Sequence, residues 1–270
     1  MKRIVVAGGA GLVGSKLVER LRSHGHDVVS ASRRSGVDTT TGTGLKEALR
    51  GAHALVDVTN APSFDEPQVV DFFRESTRHL LAAAAEAGVG HHLALSVVGT
   101  GRLQDSGYFR AKQVQQDLLA RSHVPHTLVQ ATQFFEFMAN IIPPGSGKEN
   151  VHLPSALVQP VAADDVADIL VGLVLAPPSN ATIEIAGPES YRLCDLVQWV
   201  MYSYQDDRPV IADPLASYYG AILDDRTLTP GDGALIAGTH FRDWLDGYLS
   251  SRVPLPHVHH PDPLSHPRRA

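Results

Sequence analysis

The chain has 270 residues, 43% of them hydrophobic, which suffices for a sizeable core in one doubly wound domain with an appended lobe. Its formal net charge of −6 leaves no broad basic surface, so a small-molecule partner is expected and a general nucleic-acid or membrane partner is not. One cysteine, Cys194, excludes an internal disulfide framework and suits a reducing cytoplasm; no apolar run is long enough to span a bilayer, and the first residues enter a strand, not a leader.

The first strand, Ile4-Val5-Val6, turns through Gly8-Gly9-Ala10-Gly11 into an amphipathic helix carrying Leu12, Val13, Leu17, Val18 and Leu21. Glycines in such a turn let the backbone approach a dinucleotide pyrophosphate, whose charge the first helical N–H groups and the helix dipole attract. Two spacings fit, Gly9-x-Gly11-x-x-Gly14 and Gly8-x-x-Gly11-x-x-Gly14, and the spacing leaves both open. Gly8, Gly11, Leu12, Val13 and Gly14 are the candidate phosphate-loop residues.

A second strand, Asp27–Ala31, runs into Ser32-Arg33-Arg34, with no acid where an NAD-preferring site usually keeps one for the ribose. Arg33 and Arg34 suit a 2′-phosphate by charge and paired hydrogen bonds, so NADPH/NADP is expected over NAD, with Arg33 the stronger candidate. The competing reading is two solvated surface arginines. Asp38, after a short Gly36-Val37-Asp38 strand, is either an acceptor for the adenine amino group or the anchor of the Thr39-Thr40 turn. Apolar runs at 54–58, 93–97 and 127–130 alternate with helical stretches near 45–50, 66–88 and 107–122, the pattern of a parallel Rossmann sheet with right-handed crossovers, class α/β. Thr59 and Asn60 follow one of these strands, at the edge where ligands of open sheets gather; ordinary turn chemistry accounts for them equally.

Chemistry enters in Gly107-Tyr108-Phe109-Arg110-Ala111-Lys112, where Tyr108 and Lys112 share a helix face. An ammonium there favours the tyrosinate form and grips the nicotinamide ribose, so that the phenol exchanges a proton with a substrate oxygen. Ser96, twelve residues earlier at a strand end, is placed to hold that oxygen. An ordinary amphipathic helix with a solvated lysine is the alternative.

With these motifs the chain resembles the short-chain dehydrogenase/reductase superfamily, in particular its atypical NmrA-like, NAD(P)H-binding branch, over roughly residues 1–250. The likeness rests on Gly8-x-x-Gly11-x-x-Gly14, on Tyr108-x-x-x-Lys112, on the segment from Pro125 to Phe135, and on Gln159-Pro160-Val161-Ala162-Ala163-Asp164-Asp165-Val166-Ala167. The resemblance implies that the third segment leads from the last main strand into a substrate lobe and that the fourth returns the chain to the core. The threonine often found before the first glycine is Ala7 here. Relatives in this branch also include lysine-only reductases and proteins that bind the cofactor to sense redox state, which makes Tyr108 the discriminating residue.

Gln133, Phe134 and Phe135 just past a strand end are candidates to line a substrate pocket, with core packing as the alternative. Asp164 and Asp165 are expected to cap the helix that follows them. Strand Ile183–Gly187, helix Leu193–Tyr204 and helix Phe241–Leu249, with Trp244 inward, complete the lobe. The expected organisation is a core over 1–131 and 157–176, substrate-lobe segments over 132–156 and 177–252, and a flexible tail from 253. His257, His259 and His260 in that tail lack metal-site spacing, and no metal is expected. The sequence predicts a monomeric or homodimeric NADPH-dependent oxidoreductase acting on a small carbonyl, quinone or activated alkene. Tyr108, Lys112 and Ser96 form its catalytic set. A redox sensor without turnover and a non-redox epimerase or dehydratase are the alternatives.

Overall fold

The computed structural model describes residues 1–142 and 149–251. Its strands are β1 (Arg3–Ala7), β2 (Asp27–Ala31), β3 (Ala54–Asp57), β4 (His91–Val97), β5 (His126–Ala131), β6 (Val151–Leu153), β7 (Leu157–Val158), β8 (Thr182–Ala186), β9 (Tyr191–Arg192), β10 (Val210–Ala212) and β11 (Leu235–Ile236). Its helices are α1 (Leu12–Ser23), α2 (Leu45–Leu49), α3 (Gln68–Glu86), α4 (Gly107–Ala120), α5 (Ala163–Leu175), α6 (Leu193–Ser203) and α7 (Phe241–Ser251).

Seven strands form one parallel sheet in the order β11-β8-β5-β4-β3-β1-β2. Alternation along β1 explains why both faces are covered. Ile4 and Val6 join a core with Leu17 of α1 and Leu170 of α5, while Val5 and Ala7 join one with Leu49 of α2 and Leu80 of α3. A third core, built on Phe135, Val158, Leu193, Val197 and Phe241, holds the lobe together. From β1 the chain lays β2 on one side and then crosses to β3 on the other, so a crevice opens at the carboxyl ends of β1 and β3, the switch point where open sheets bind ligands.

Several elements differ from the sequence expectation. No strand forms at Gly36-Val37-Asp38. The chain instead makes a short 3-10 turn at Arg33–Ser35 and passes through Gly36 at φ 80°, and Val37 is buried without a strand partner. Strands β8 and β11 belong to the main sheet, although they fall in the stretch assigned to the lobe; with α5 as crossover, the apolar face of β8 completes the sheet beside β5. The acids Asp164 and Asp165 lie in the first turn of α5 but do not cap it. Asp164 pairs with Lys16 and Arg20 of α1, and Asp165 accepts from the backbone and hydroxyl of Thr239. The carboxylate of Glu136 accepts the Ala163 N–H in their place, at 3.2 and 3.3 Å.

Glu136 is 4% exposed, and burial pushes its carboxyl up to about 7 from 4.5. The native chain therefore binds an extra proton between those values, and stability contributed by this group is full below the lower one and lost as pH rises through the window. Glu136→Gln keeps the amide-capping oxygen and removes the charge, so it should raise stability at pH 8 by an amount on the order of 3 kcal/mol at most and leave pH 4 nearly unchanged. Equal thermal shifts of the variant at both pH values would show that the carboxyl is not held out of its ordinary range.

Candidate active site

The first turn of α1 begins at Gly11, which offers no side-chain cap, so its leading N–H groups face the crevice without partners from this helix. Gly8 adopts φ 81°, and a Cβ there would lie 2.7 Å from the Val58 carbonyl oxygen. A Cβ on Gly14 would lie 2.2 Å from the Gly8 carbonyl oxygen. Gly11 differs: a Cβ on it meets only the Gly8 oxygen, at 3.3 Å, and otherwise open space. Gly8 and Gly14 thus serve the turn itself, while Gly11 leaves room for something outside it. Gly8, Gly11, Leu12 and Val13 line a cavity of about 840 Å³; Gly9 and Gly14 lie beneath the loop. The structure therefore brings the Gly8-x-x-Gly11 spacing to the cavity.

That cavity follows the carboxyl edge of the sheet. After β2 it is lined by Arg33 and Asp38; the exposed Arg34 is not in its wall, because the 3-10 turn points the two arginines differently. Asp38 accepts from the backbone and hydroxyl of Thr40 at 2.9 and 2.6 Å, and these bonds, with Arg33 nearby, hold its carboxyl below the usual range. The turn-anchoring role is thus present, and the same ionised group also borders the cavity. Thr59 and Asn60 line it after β3, Thr59 fixed by two bonds to Asp57 at 3.0 and 2.6 Å.

Ser96, Tyr108 and Lys112 line one continuous wall. Lys112 is 2% exposed and donates to the Leu95 carbonyl at 3.0 Å and to the Gln115 side-chain oxygen at 2.5 Å; its ammonium stands 4.5 Å from the Phe73 ring centre. Burial pushes it down to about 8, and the carboxylate of Asp57 opposes that, so it remains mostly charged at neutral pH. Asp57 in turn accepts from the Gln115 amide at 2.9 Å, which turns the Gln115 oxygen toward the lysine. A parallel relay holds the serine: the Gln130 amide donates to Gln116 at 3.0 Å, and the Gln116 amide donates to the Ser96 hydroxyl oxygen at 2.7 Å. With its oxygen occupied from behind, the Ser96 O–H is free to donate toward the cavity.

Tyr108 sits among aromatic rings, 4.4 Å from Phe64, 5.4 Å from Phe109 and 6.2 Å from Phe73 between centroids. The lysine does not lower its phenol. Burial, reinforced by Tyr219, pushes it well above its ordinary value, so the tyrosinate form expected from the helix-face argument is disfavoured and the protonated form dominates. The group is thus present at neutral pH as a hydrogen-bond and proton donor, though burial makes it a weaker acid than an exposed tyrosine.

Gln133 and Phe134 line the cavity beyond the tyrosine, whereas Phe135 is 1% exposed and packs on Phe241 and Trp244 in the lobe core, because the turn at Phe135–Ile141 alternates their directions. Sequence reasoning missed Thr132, Tyr218 and Tyr219 in this wall. The tyrosine pair carried a weak signal, two adjacent aromatics in an otherwise turn-rich stretch. Among the described residues no group of three or more metal-ligating side chains comes together, and no helix is long and apolar enough to cross a membrane. The tail histidines lie outside the described residues.

Residues 4–98 match the family model described as the NAD dependent epimerase/dehydratase family. No curated protein matches the chain. Similar solved structures include a dTDP-4-dehydrorhamnose reductase from Bacillus anthracis in complex with NADP, 13% identical, with a TM-score of 0.69 and covering 94% of this chain and 100% of that one. A UDP-N-acetylglucosamine 4-epimerase from Bacillus cereus is 14% identical, with a TM-score of 0.68 over 95% of this chain and 100% of that one. The Bordetella bronchiseptica enzyme WbmG in complex with NAD and UDP is 18% identical, with a TM-score of 0.68 over 92% and 93%. The chain has their Rossmann-like fold. At these identities, the site has to be argued from its own residues.

The loop fits a nicotinamide dinucleotide: an open place at Gly11, unpartnered N–H groups at a helix start, and an arginine beyond β2. Loss of a charged phosphate contact costs about 1.5–3 kcal/mol, or roughly ten- to a hundredfold in affinity. Titration should accordingly show tighter binding of NADPH than NADH, with Arg33→Ala erasing most of the difference and Arg34→Ala little of it. Equal affinities in the wild type would remove the case for NADP.

Proposed function

We propose that the protein is an NADPH-dependent oxidoreductase of the short-chain dehydrogenase/reductase type, in the NmrA-like branch, which reduces a small carbonyl, quinone or activated alkene. One observation carries this reading: a single cavity runs from the glycine loop past Lys112 to the hydroxyls of Ser96 and Tyr108. Gly8, Gly11, Leu12, Val13, Arg33, Asp38, Thr59, Asn60 and Lys112 would hold the nucleotide. When bound, it supplies two electrons as hydride from its nicotinamide ring. Ser96 donates a hydrogen bond to the substrate oxygen and orients it. Tyr108 gives its phenolic proton to that oxygen as the carbonyl carbon is reduced, so the C=O becomes a C–H and an O–H. The Lys112 ammonium, fixed by Leu95 and Gln115, lends positive charge where the oxygen gains negative charge.

An epimerase on the same scaffold is the second reading, favoured by the matching family model and the Bacillus cereus neighbour. It would have to begin by taking a proton from an alcohol, which calls on the tyrosinate form that burial of Tyr108 disfavours, whereas the reductase step starts from the phenol already present. Absorbance of NADPH followed across a panel of ketones, enones and quinones tests the oxidoreductase reading. Tight NADPH binding with no substrate consumed, and with interconversion of an added sugar nucleotide, would replace it by the epimerase.

A further inference from the structure

Past Lys112 the cavity ends in a chamber walled by Phe64, Tyr108, Tyr219, Phe134, Phe137 and Met138. Phe64, Tyr108 and Tyr219 form one aromatic group, with Phe64 centred 4.4 Å from Tyr108 and 6.1 Å from Tyr219; Phe134 and Phe137, 6.0 Å apart, form another. The charge inventory is one-sided. Among the described residues lining the cavity the only cations are Arg33, beyond β2 at the nucleotide end, and Lys112, whose ammonium is buried and bonded to Leu95 and Gln115. The remaining charged residues, Asp38, Asp71 and Glu75, are acidic. A ligand phosphate brought into the chamber would be desolvated against rings, with no cation among the described lining residues assigned to it.

Two buried polar side chains in the lining lack partners in the protein, the Thr132 hydroxyl and the Gln133 amide. Gln133 is 8% exposed and contributes to the cavity lining, and neither its amide nitrogen nor its amide oxygen, both closed off from solvent, has a hydrogen-bond partner in the protein. A buried amide with both ends unpaired carries a free-energy cost that a ligand able to donate and accept there would relieve.

Resting on the oxidoreductase reading above, we propose that the chamber takes an uncharged aromatic carbonyl compound bearing a second polar group, its rings against the two aromatic groups and its second group paired with Gln133. It rejects nucleotide-diphosphate sugars.

Calorimetry on the NADP-loaded protein with 6-hydroxy-2-acetonaphthone, 2-acetonaphthone and UDP-glucose tests this. The hydroxyketone should bind at least about tenfold more tightly than UDP-glucose, and loss of either the hydroxyl or the Gln133 amide, as Gln133→Met, should weaken it about tenfold without the two losses adding. NADP affinity should stay unchanged in the variant. The unliganded variant should melt no lower than wild type, since the amide holds nothing within the protein; if it does not fold, the hydroxyl comparison on wild type decides alone. UDP-glucose binding as tightly as the hydroxyketone, no binding by either ketone, or a Gln133→Met defect confined to NADP would each overturn the proposal. A hydroxyketone that binds as described but is not reduced with NADPH leaves the chamber assignment standing and removes the oxidoreductase reading.

Discussion

Tyr108→Phe is expected to lower turnover of a reducible substrate by about 10²–10⁴, the usual worth of a positioned general acid, while NADPH affinity stays within a few-fold of wild type. The substitution deletes one oxygen from a ring already packed against Phe64, Phe73 and Phe109, so the aromatic group stays filled and only the proton is lost. Lys112→Ala should differ in kind. It empties a buried position, leaves Gln115 without the partner that Asp57 orients it toward, and removes positive charge from the wall, so NADPH affinity and turnover should fall together. Steady-state rates and cofactor titrations on both variants separate the two patterns. Wild-type turnover by Tyr108→Phe would make the tyrosine an aromatic wall residue and transfer the chemistry to the lysine.

What the sequence made legible was what lies close along the chain. The apolar run into Gly8–Gly14 and a helix is a contiguous signal, and the four-residue spacing of Tyr108 and Lys112 places both on one helical face, so both could be read without tertiary structure. The relays behind Ser96 and Lys112 could not. Gln116 reaches Ser96 across twenty residues and Gln115 reaches Asp57 across fifty-eight, contacts made only when α4 packs on the sheet. Tyr218 and Tyr219 arrive from the lobe by the same kind of long-range closure. Local rules also gave way where tertiary partners outbid them. Asp164 and Asp165 stand where caps are expected, yet Lys16, Arg20 and Thr239 claim their oxygens, and Glu136 from another segment takes the cap. The Gly36–Asp38 strand failed because the left-handed Gly36 and the turn that Asp38 makes with Thr40 break the extended backbone at both ends of those three residues. The raised phenol of Tyr108 is a burial effect, and burial was the quantity the helical spacing did not contain.

Gly11→Val should abolish cofactor binding in a protein that still folds, whereas Gly14→Val should damage the fold itself. Gly11 has φ −82° and ψ −178°, an extended conformation open to any residue, so valine there brings no backbone strain. Its cost to the fold is that of a poor helix N-cap, about 1 kcal/mol, which for a chain of this size lowers the melting temperature by roughly 2–4 °C. The branched side chain would stand in the open space beside the unpartnered N–H groups, where a pyrophosphate has to come close. At Gly14 the first added carbon already falls 2.2 Å from the Gly8 carbonyl oxygen and 2.9 Å from the Gly9 Cα, both backbone atoms of the loop. Neither can move without dislodging Gly8 from its place against Val58, so the loop and the start of α1 must separate, at a cost of several kcal/mol. Thermal melts paired with NADPH titrations read the two effects independently. If Gly11→Val folds and binds NADPH normally, the nucleotide does not lie on this loop, and the assignment of Ser96, Tyr108 and Lys112 to its reactive end falls with it.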